Sequence, residues 1–260
     1  MGHTRIGRLN RTRKWKDVVA CFCLGAGTEQ ITIAALEAAK SGFNYDRISS
    51  NTAYHKAVEL LVHLGVAGQS GDFAGSMRRF GIQLSSHPTL QELNARLSEA
   101  VDEAAWNGRS PKDEISEFAK KALCKAVSIC CKKEQADDLP NIPRTDLSVF
   151  DRFGDKVNFA DLNQMFVSNV VSGALKSYLS QIIPNLLGVE QRVMSTHELL
   201  AAYNALDEHI YETAIVHRKY SIDWLKKHNN QLGSMTPRDI RNHANFIISK
   251  MLRALKYGKD

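Results

Sequence analysis

Proline and glycine are scarce, at six and 16 of 260 residues, which excludes a collagen-like or linker-dominated chain. No uncharged stretch reaches the roughly 18 apolar residues that a membrane span needs. The nearest, residues 162–189, carries Lys176 among Asn, Gln and Ser. Cysteine is thin as well: Cys21, Cys23, Cys124, Cys130 and Cys131. An odd count with near-adjacent positions argues against a disulfide framework, and no Cys-x-x-Cys is present to hold zinc. Reduced thiols in a cytoplasmic protein fit better, with the cysteines serving as small buried hydrophobes. The N-terminus lacks the apolar run and small-residue cleavage site of a secretory signal. Gly2 lacks the downstream Ser or Thr expected for myristoylation. Nucleophile elbow, P-loop and His-Glu-x-x-His are all missing, and no cofactor or metal is implied.

What is present is the balance of an ordinary globular protein: 43% apolar residues, 24% charged residues and a mean hydropathy of -0.29. The net charge is +6. All of that excess lies in residues 1–16, where Arg5, Arg8, Arg11, Arg13, Lys14 and Lys16 occur with no acid. The remaining 244 residues hold 28 basic and 28 acidic side chains. The sequence thus reads as a basic N-terminal arm on a formally neutral body. Such an arm suits a phosphate backbone or an acidic partner, and Trp15 between Lys14 and Lys16 could stack on an unpaired base. The plainer alternative is that Ile6, Leu9 and Trp15 dock the arm on protein.

The hydrophobic period is helical nearly throughout and predicts an all-α fold of about nine helices. Gly25 and Gly27 stop a first helix over residues 15–24, and Thr28 is expected to cap a second. Further helices are expected over residues 52–64, 72–80, 89–108, 110–130, 159–183, 196–224 and from 236 onward. Thr89 with Glu92 reads as a capping box, and Thr236-Pro237-Asp239 as a second strong helix start. Pro140 and Pro143 interrupt the pattern. They divide the chain into an arm (1–16), an N-terminal helical part (17–135), a linker (136–145) and a C-terminal helical part (146–260).

Few motifs carry chemistry. Gly25-Ala-Gly27 lacks the third glycine of a dinucleotide fingerprint, and Asp46 follows no clear strand, so an αα-hairpin explains it more simply. Read as a helix-turn-helix, the same segment would present Glu29 to phosphates, a poor choice for base reading. His209 and His217 stand about 12 Å apart on a straight helix, too far to share a metal, and read as surface residues. Asp151, Asp155 and Asp161 match no calcium or two-metal spacing.

Arg238-Asp-Ile-Arg-Asn-His243 resembles the Arg-x4-His signature of HEPN ribonucleases, all-helical domains in which Arg and His meet at a dimer seam on an RNA phosphodiester. That resemblance implies Arg238 as the phosphate-stabilising group and His243 as the proton carrier. The spacing is short, and Arg192 to His197 fits it too. Separately, His3-Thr-Arg-Ile-Gly-Arg-Leu9 with Arg11-Thr-Arg-Lys-Trp15 resembles a family of bacterial all-helical proteins of phage-defence gene neighbourhoods. So does Tyr178-Leu-Ser ahead of Pro184-Asn185 and Gly188, with the later Trp224. The family brings no activity and no catalytic residue. It implies a bacterial, cytoplasmic, accessory protein. Because the residues offer no convergent catalytic set, the chain itself reads as a non-enzymatic binding or scaffolding component with a protein partner or a second copy. Non-specific nucleic-acid contact would fall to Arg5, Arg8, Arg11, Arg13, Lys14, Trp15 and Lys16.

Overall fold

The computed structural model describes residues 13–23, 25–108, 113–132, 147–181, 196–229 and 235–258. Among these residues the chain is helical and contains no strand, so the all-α class expected from the periodicity is the class observed. The helices are α1 (Arg13–Cys23), α2 (Thr28–Ala39), α3 (Tyr45–Ser49), α4 (Thr52–Gly68), α5 (Phe73–Arg79) and α6 (Leu90–Asn107). They continue with α7 (Glu114–Lys132), α8 (Leu147–Asp151), α9 (Lys156–Ser180), α10 (Thr196–Thr213), α11 (Arg218–Asn229) and α12 (Pro237–Tyr257).

Two features raise the number above nine. Helices α3 and α8 are five residues each, too short to show a period. The stretch 196–224, expected as one helix, is divided by a 3₁₀ turn at Ala214–His217. Thr213, Ile215 and Val216 crowd three β-branched side chains into that turn, where an α-helix loses rotamer freedom.

Helix α9 is the axis of the fold. It is buried on nearly all sides from Phe159 to Leu179, as expected of a central helix without an amphipathic stripe. Helix α7 makes the most extensive contact with it, and α10 and α11 flank it. Helix α4 is the second interior element and touches α6, α7 and α12. One continuous core joins Val18 of α1 to Leu255 of α12, so both halves of the chain supply it. Phe73 stacks on Phe150 at 5.0 Å, and Phe150 on Phe153 at 6.2 Å, which ties the segment at 147–154 to α5. The expected linker lies outside the described residues.

Caps explain most helix starts. Asn44, Asn51, Asp72, Thr89, Asp155 and Thr236 each accept a bond from a first-turn amide of the helix that follows. The Thr236–Asp239 pair forms a complete capping box. Thr89 makes only half of one, because the Glu92 carboxylate turns instead to the Ser85 amide and hydroxyl, each at 2.7 Å. Thr28 is not a cap. Gly27 holds that position without a side-chain bond, and Thr28 is the first helical residue. Backbones meet closely where α4 ends: a Cβ on Gly68 would fall on the Gly154 amide nitrogen. The Gln69 amide locks the junction by donating to the Gly154 carbonyl at 2.8 Å.

Candidate nucleic-acid interface

Helix α12 is amphipathic in an unusual sense. Its inner face is Ile240, His243, Ala244, Ile247, Ile248, Met251 and Leu255, all buried. Its charges are Arg238, Arg241, Lys250, Arg253 and Lys256 against a single acid, Asp239. That acid is already committed: its Oδ2 accepts from the Thr236 amide at 3.0 Å and hydroxyl at 2.7 Å, which holds its pKa below the ordinary value. At about 100° per residue, Arg238, Asn242, Asn245, Ser249, Arg253 and Lys256 fall along one line of a helix about 30 Å long. Arg238, Arg241, Lys250 and Arg253 are exposed and make no hydrogen bond or ion pair among the described residues. Asn245 is fixed by His55 of α4, Nε2 to Oδ1 at 3.1 Å.

The base of the N-terminal arm meets this face. Glu37 of α2 bonds Lys256 Nζ at 2.7 Å through one carboxylate oxygen, while the other lies 3.6 Å from Lys14 Nζ. Lys14 also donates to the Glu37 carbonyl at 3.4 Å. The bond from Lys256, and the charges of Lys256, Lys14 and Lys40, hold the Glu37 carboxyl below its ordinary pKa although partial burial opposes them. One carboxylate therefore bridges Lys14 and Lys256, feels the charge of Lys40 as well, and joins α1 to the end of α12. Lys16 is exposed on the same helix as Lys14. Arg5, Arg8 and Arg11 lie outside the described residues, as do the side chains of Arg13 and Trp15.

The ribonuclease pair is not assembled. His243 is wholly enclosed, whereas Arg238 is exposed five positions away on another side of the helix. The His243 ring lies 4.4 Å from the Trp224 ring, 5.6 Å from Tyr220 and 6.3 Å from Phe159, and its Nε2 meets Asn163 Oδ1 at 3.2 Å. Burial first, then the nearby His217 and His228, pushes its pKa down to about 3. A phosphodiester has no path to this ring, and a proton carrier so far from neutrality does little acid–base work. For the second spacing, Arg192 lies outside the described residues and His197 is exposed.

The remaining candidates find plain roles. His217 is buried rather than on the surface, with neither ring nitrogen partnered. Asp155 caps α9, Asp161 pairs with Arg218, and Asp151 is exposed. Helices α1 and α2 form an αα-hairpin, closed where Gly25 takes φ 69°. Cys21 and Cys124 are free thiols, and the Cys130 sulfur lies 3.6 Å from the Met165 sulfur. Among the described residues no three His, Cys, Asp or Glu converge on a metal position, and no helix is long and apolar enough to cross a membrane. A cleft of about 330 Å³ between α7, α9 and α10 holds Lys125 and Asp207, but Ser172 and Lys176 already occupy the Asp207 carboxylate.

The basic face was hidden by summation. The body is neutral only as a total. Helix α10 carries Glu198, Asp207, Glu208 and Glu212 with no Lys or Arg, and α6 carries four acids against Arg96. Counting charge helix by helix, rather than by half, exposes the asymmetry. Comparison of the chain with family models, with curated proteins and with solved structures finds no match in any of them.

Proposed function

We propose that this chain is a non-enzymatic binding component that holds nucleic-acid backbone, without base preference, across the surface where the N-terminal arm meets α12. The observation that supports it best is the Glu37 carboxylate held between Lys14 and Lys256. It ties Lys14 of α1 to the helix that carries the unpaired cations Arg238, Arg241, Lys250 and Arg253. Phosphates reward this arrangement because each neutralised contact releases condensed counterions. The resemblance of the 3–15 and 178–188 segments adds a bacterial, cytoplasmic, phage-defence setting. It also adds a protein partner or a second copy as the rest of the assembly.

The test is duplex affinity against salt. Four unpaired cations on α12 give a slope of log affinity on log salt of about -3.6, and six more in the arm bring the limit to about -9. Deleting residues 2–14 should flatten the slope, and Lys250→Glu with Arg253→Glu should flatten it further. Binding that survives both changes with its slope intact overturns the proposal, as does an absence of binding at low salt.

A further inference from the structure

The C-terminal end of α12 carries more than charge. A pocket of about 250 Å³ opens there, lined by Val216, Lys250, Arg253, Ala254, Tyr257 and Gly258. Two of these residues are cations and none is an acid. Val216 and Ala254 supply an apolar wall. Tyr257 is 70% exposed, a high value for a large ring on a well-packed helix. One side of that ring is already occupied: Lys256 Nζ stands 5.2 Å from its centroid while bonded to Glu37 at 2.7 Å. The lysine is thus anchored beside the ring, most of which is open to solvent.

We propose that this pocket takes one nucleotide of a single strand, its base stacked on Tyr257 and its phosphate held by Lys250 and Arg253. The inference rests on the nucleic-acid reading above and narrows it to strands whose bases are free. The helix dipole sets the orientation. The carbonyl end of α12 carries partial negative charge and disfavours an anion. Phosphate therefore sits one to two turns back, over Lys250 and Arg253, and the neutral base lies at the tip on Tyr257. Arg253 adds a planar fork that matches two phosphate oxygens. In a duplex the bases are stacked on one another and cannot reach the ring, so only the cations are used. Base-on-aromatic stacking is sequence-tolerant, because every base offers a π face.

The experiment compares a short single-stranded oligonucleotide, an abasic strand of the same length and the matching duplex. Each is titrated by fluorescence anisotropy against wild type, Tyr257→Ala, Tyr257→Phe and Arg253→Gln. Tyr257→Ala should weaken the single strand by about 5- to 150-fold and leave the abasic strand and the duplex unchanged. Tyr257→Phe keeps the ring and should bind as wild type. Arg253→Gln should reduce the single-strand salt slope by about 0.7, a change Tyr257→Ala does not produce. Wild-type affinity for the single strand in Tyr257→Ala overturns the pocket while leaving the backbone interface intact. Failure of wild type to bind any of the three strands overturns the interface itself.

Discussion

Acidification should dismantle this protein through its interior histidines. His217 and His243 are fully buried, and burial holds their pKa values at about 4 and about 3. Their ordinary value is about 6.5. Three of their four ring nitrogens have no partner, and the Ser221 hydroxyl beside them has none. An imidazolium formed there would meet no counter-charge. The unfolded chain takes up these protons below about pH 6.5, while the folded chain resists until near pH 4. Between those limits the unfolded state binds more protons, so stability is complete above pH 6.5 and falls as pH falls. At pH 5 each histidine contributes a loss of about 2 kcal/mol, hence about 4 kcal/mol for the pair. His63 is also depressed to about 4 by burial, against a weak pull from Glu59, and packs 3.9 Å from the Phe80 ring. It adds about 2 kcal/mol more, for a total of about 6 kcal/mol from a domain whose whole stability is of order 5–15.

Urea unfolding followed by far-ultraviolet dichroism at pH 7 and pH 5 measures the loss directly. The sharper arm is His217→Phe. Since neither ring nitrogen of His217 finds a partner beyond its own residue's backbone, an apolar ring forfeits little hydrogen bonding. The variant should match or exceed wild type at pH 7 and lose about 2 kcal/mol less on going to pH 5. An identical pH dependence in wild type and variant, or a wild type that gains stability on acidification, refutes the reasoning.

The other expectations are separate. Gly68→Ala drives a methyl onto the Gly154 backbone and to 2.8 Å from the Asp151 carbonyl, so thermal melting should show a loss of about 1–3 kcal/mol. Asn51→Ala removes the cap on the Tyr54 amide together with the bonds to Asp113 at 2.5 Å and Ser116 at 3.2 Å, a loss of about 2 kcal/mol by urea titration. Purified protein should leave mixed RNA intact, and His243→Ala should cost about 3 kcal/mol of stability with no change in the RNA. Cleavage by wild type that vanishes in a fully stable His243→Ala would restore the ribonuclease reading.

Much of the fold was legible because long amphipathic helices advertise themselves. The helix expected from 236 onward buries Ile240, Ala244, Ile247, Ile248, Met251 and Leu255 at helical spacing, and Thr236-Pro237-Asp239 marks its start to the residue. Short elements were not legible. Five residues of α3 give no period, and its Asn44 cap is an ordinary turn residue until seen in place. The 3₁₀ turn at Ala214–His217 was concealed because both flanking helices share enough apolar residues to mimic one long period. His217 continues, at helical spacing, the buried line of Leu206, Ile210, Thr213 and Ala214, and the neighbouring acids Asp207, Glu208 and Glu212 give that stretch the look of a surface face. Arg238 and His243 show the limit of spacing as a guide. Their sequence distance is right for phosphodiester chemistry, but positions five apart on a helix diverge by about 140°. The arm contributed a correct count of charge, but summing the body to zero erased the contrast between α10 and α12.

The two faces of α12 are mechanically linked, and this permits a test that separates electrostatics from folding. The outward face of α12 presents lysine and arginine, not carboxylates that acid would neutralise. Protonation of exposed histidines can only add positive charge. Simple attraction to phosphate therefore predicts affinity that is constant or rising as pH falls. The position of those cations, however, is set by the inner face, where His243 packs against Trp224 and bonds Asn163. If that packing holds the interface in register, duplex affinity at fixed salt should hold from pH 7 to pH 6. It should then fall toward pH 5 together with the helical dichroism, against the electrostatic trend. His217→Phe should shift both losses to lower pH by the same amount. Affinity that stays high at a pH where the fold is lost would show that the arm binds alone and that the continuity through Glu37 is irrelevant. Affinity that falls while the fold persists would place the interface elsewhere than on α12.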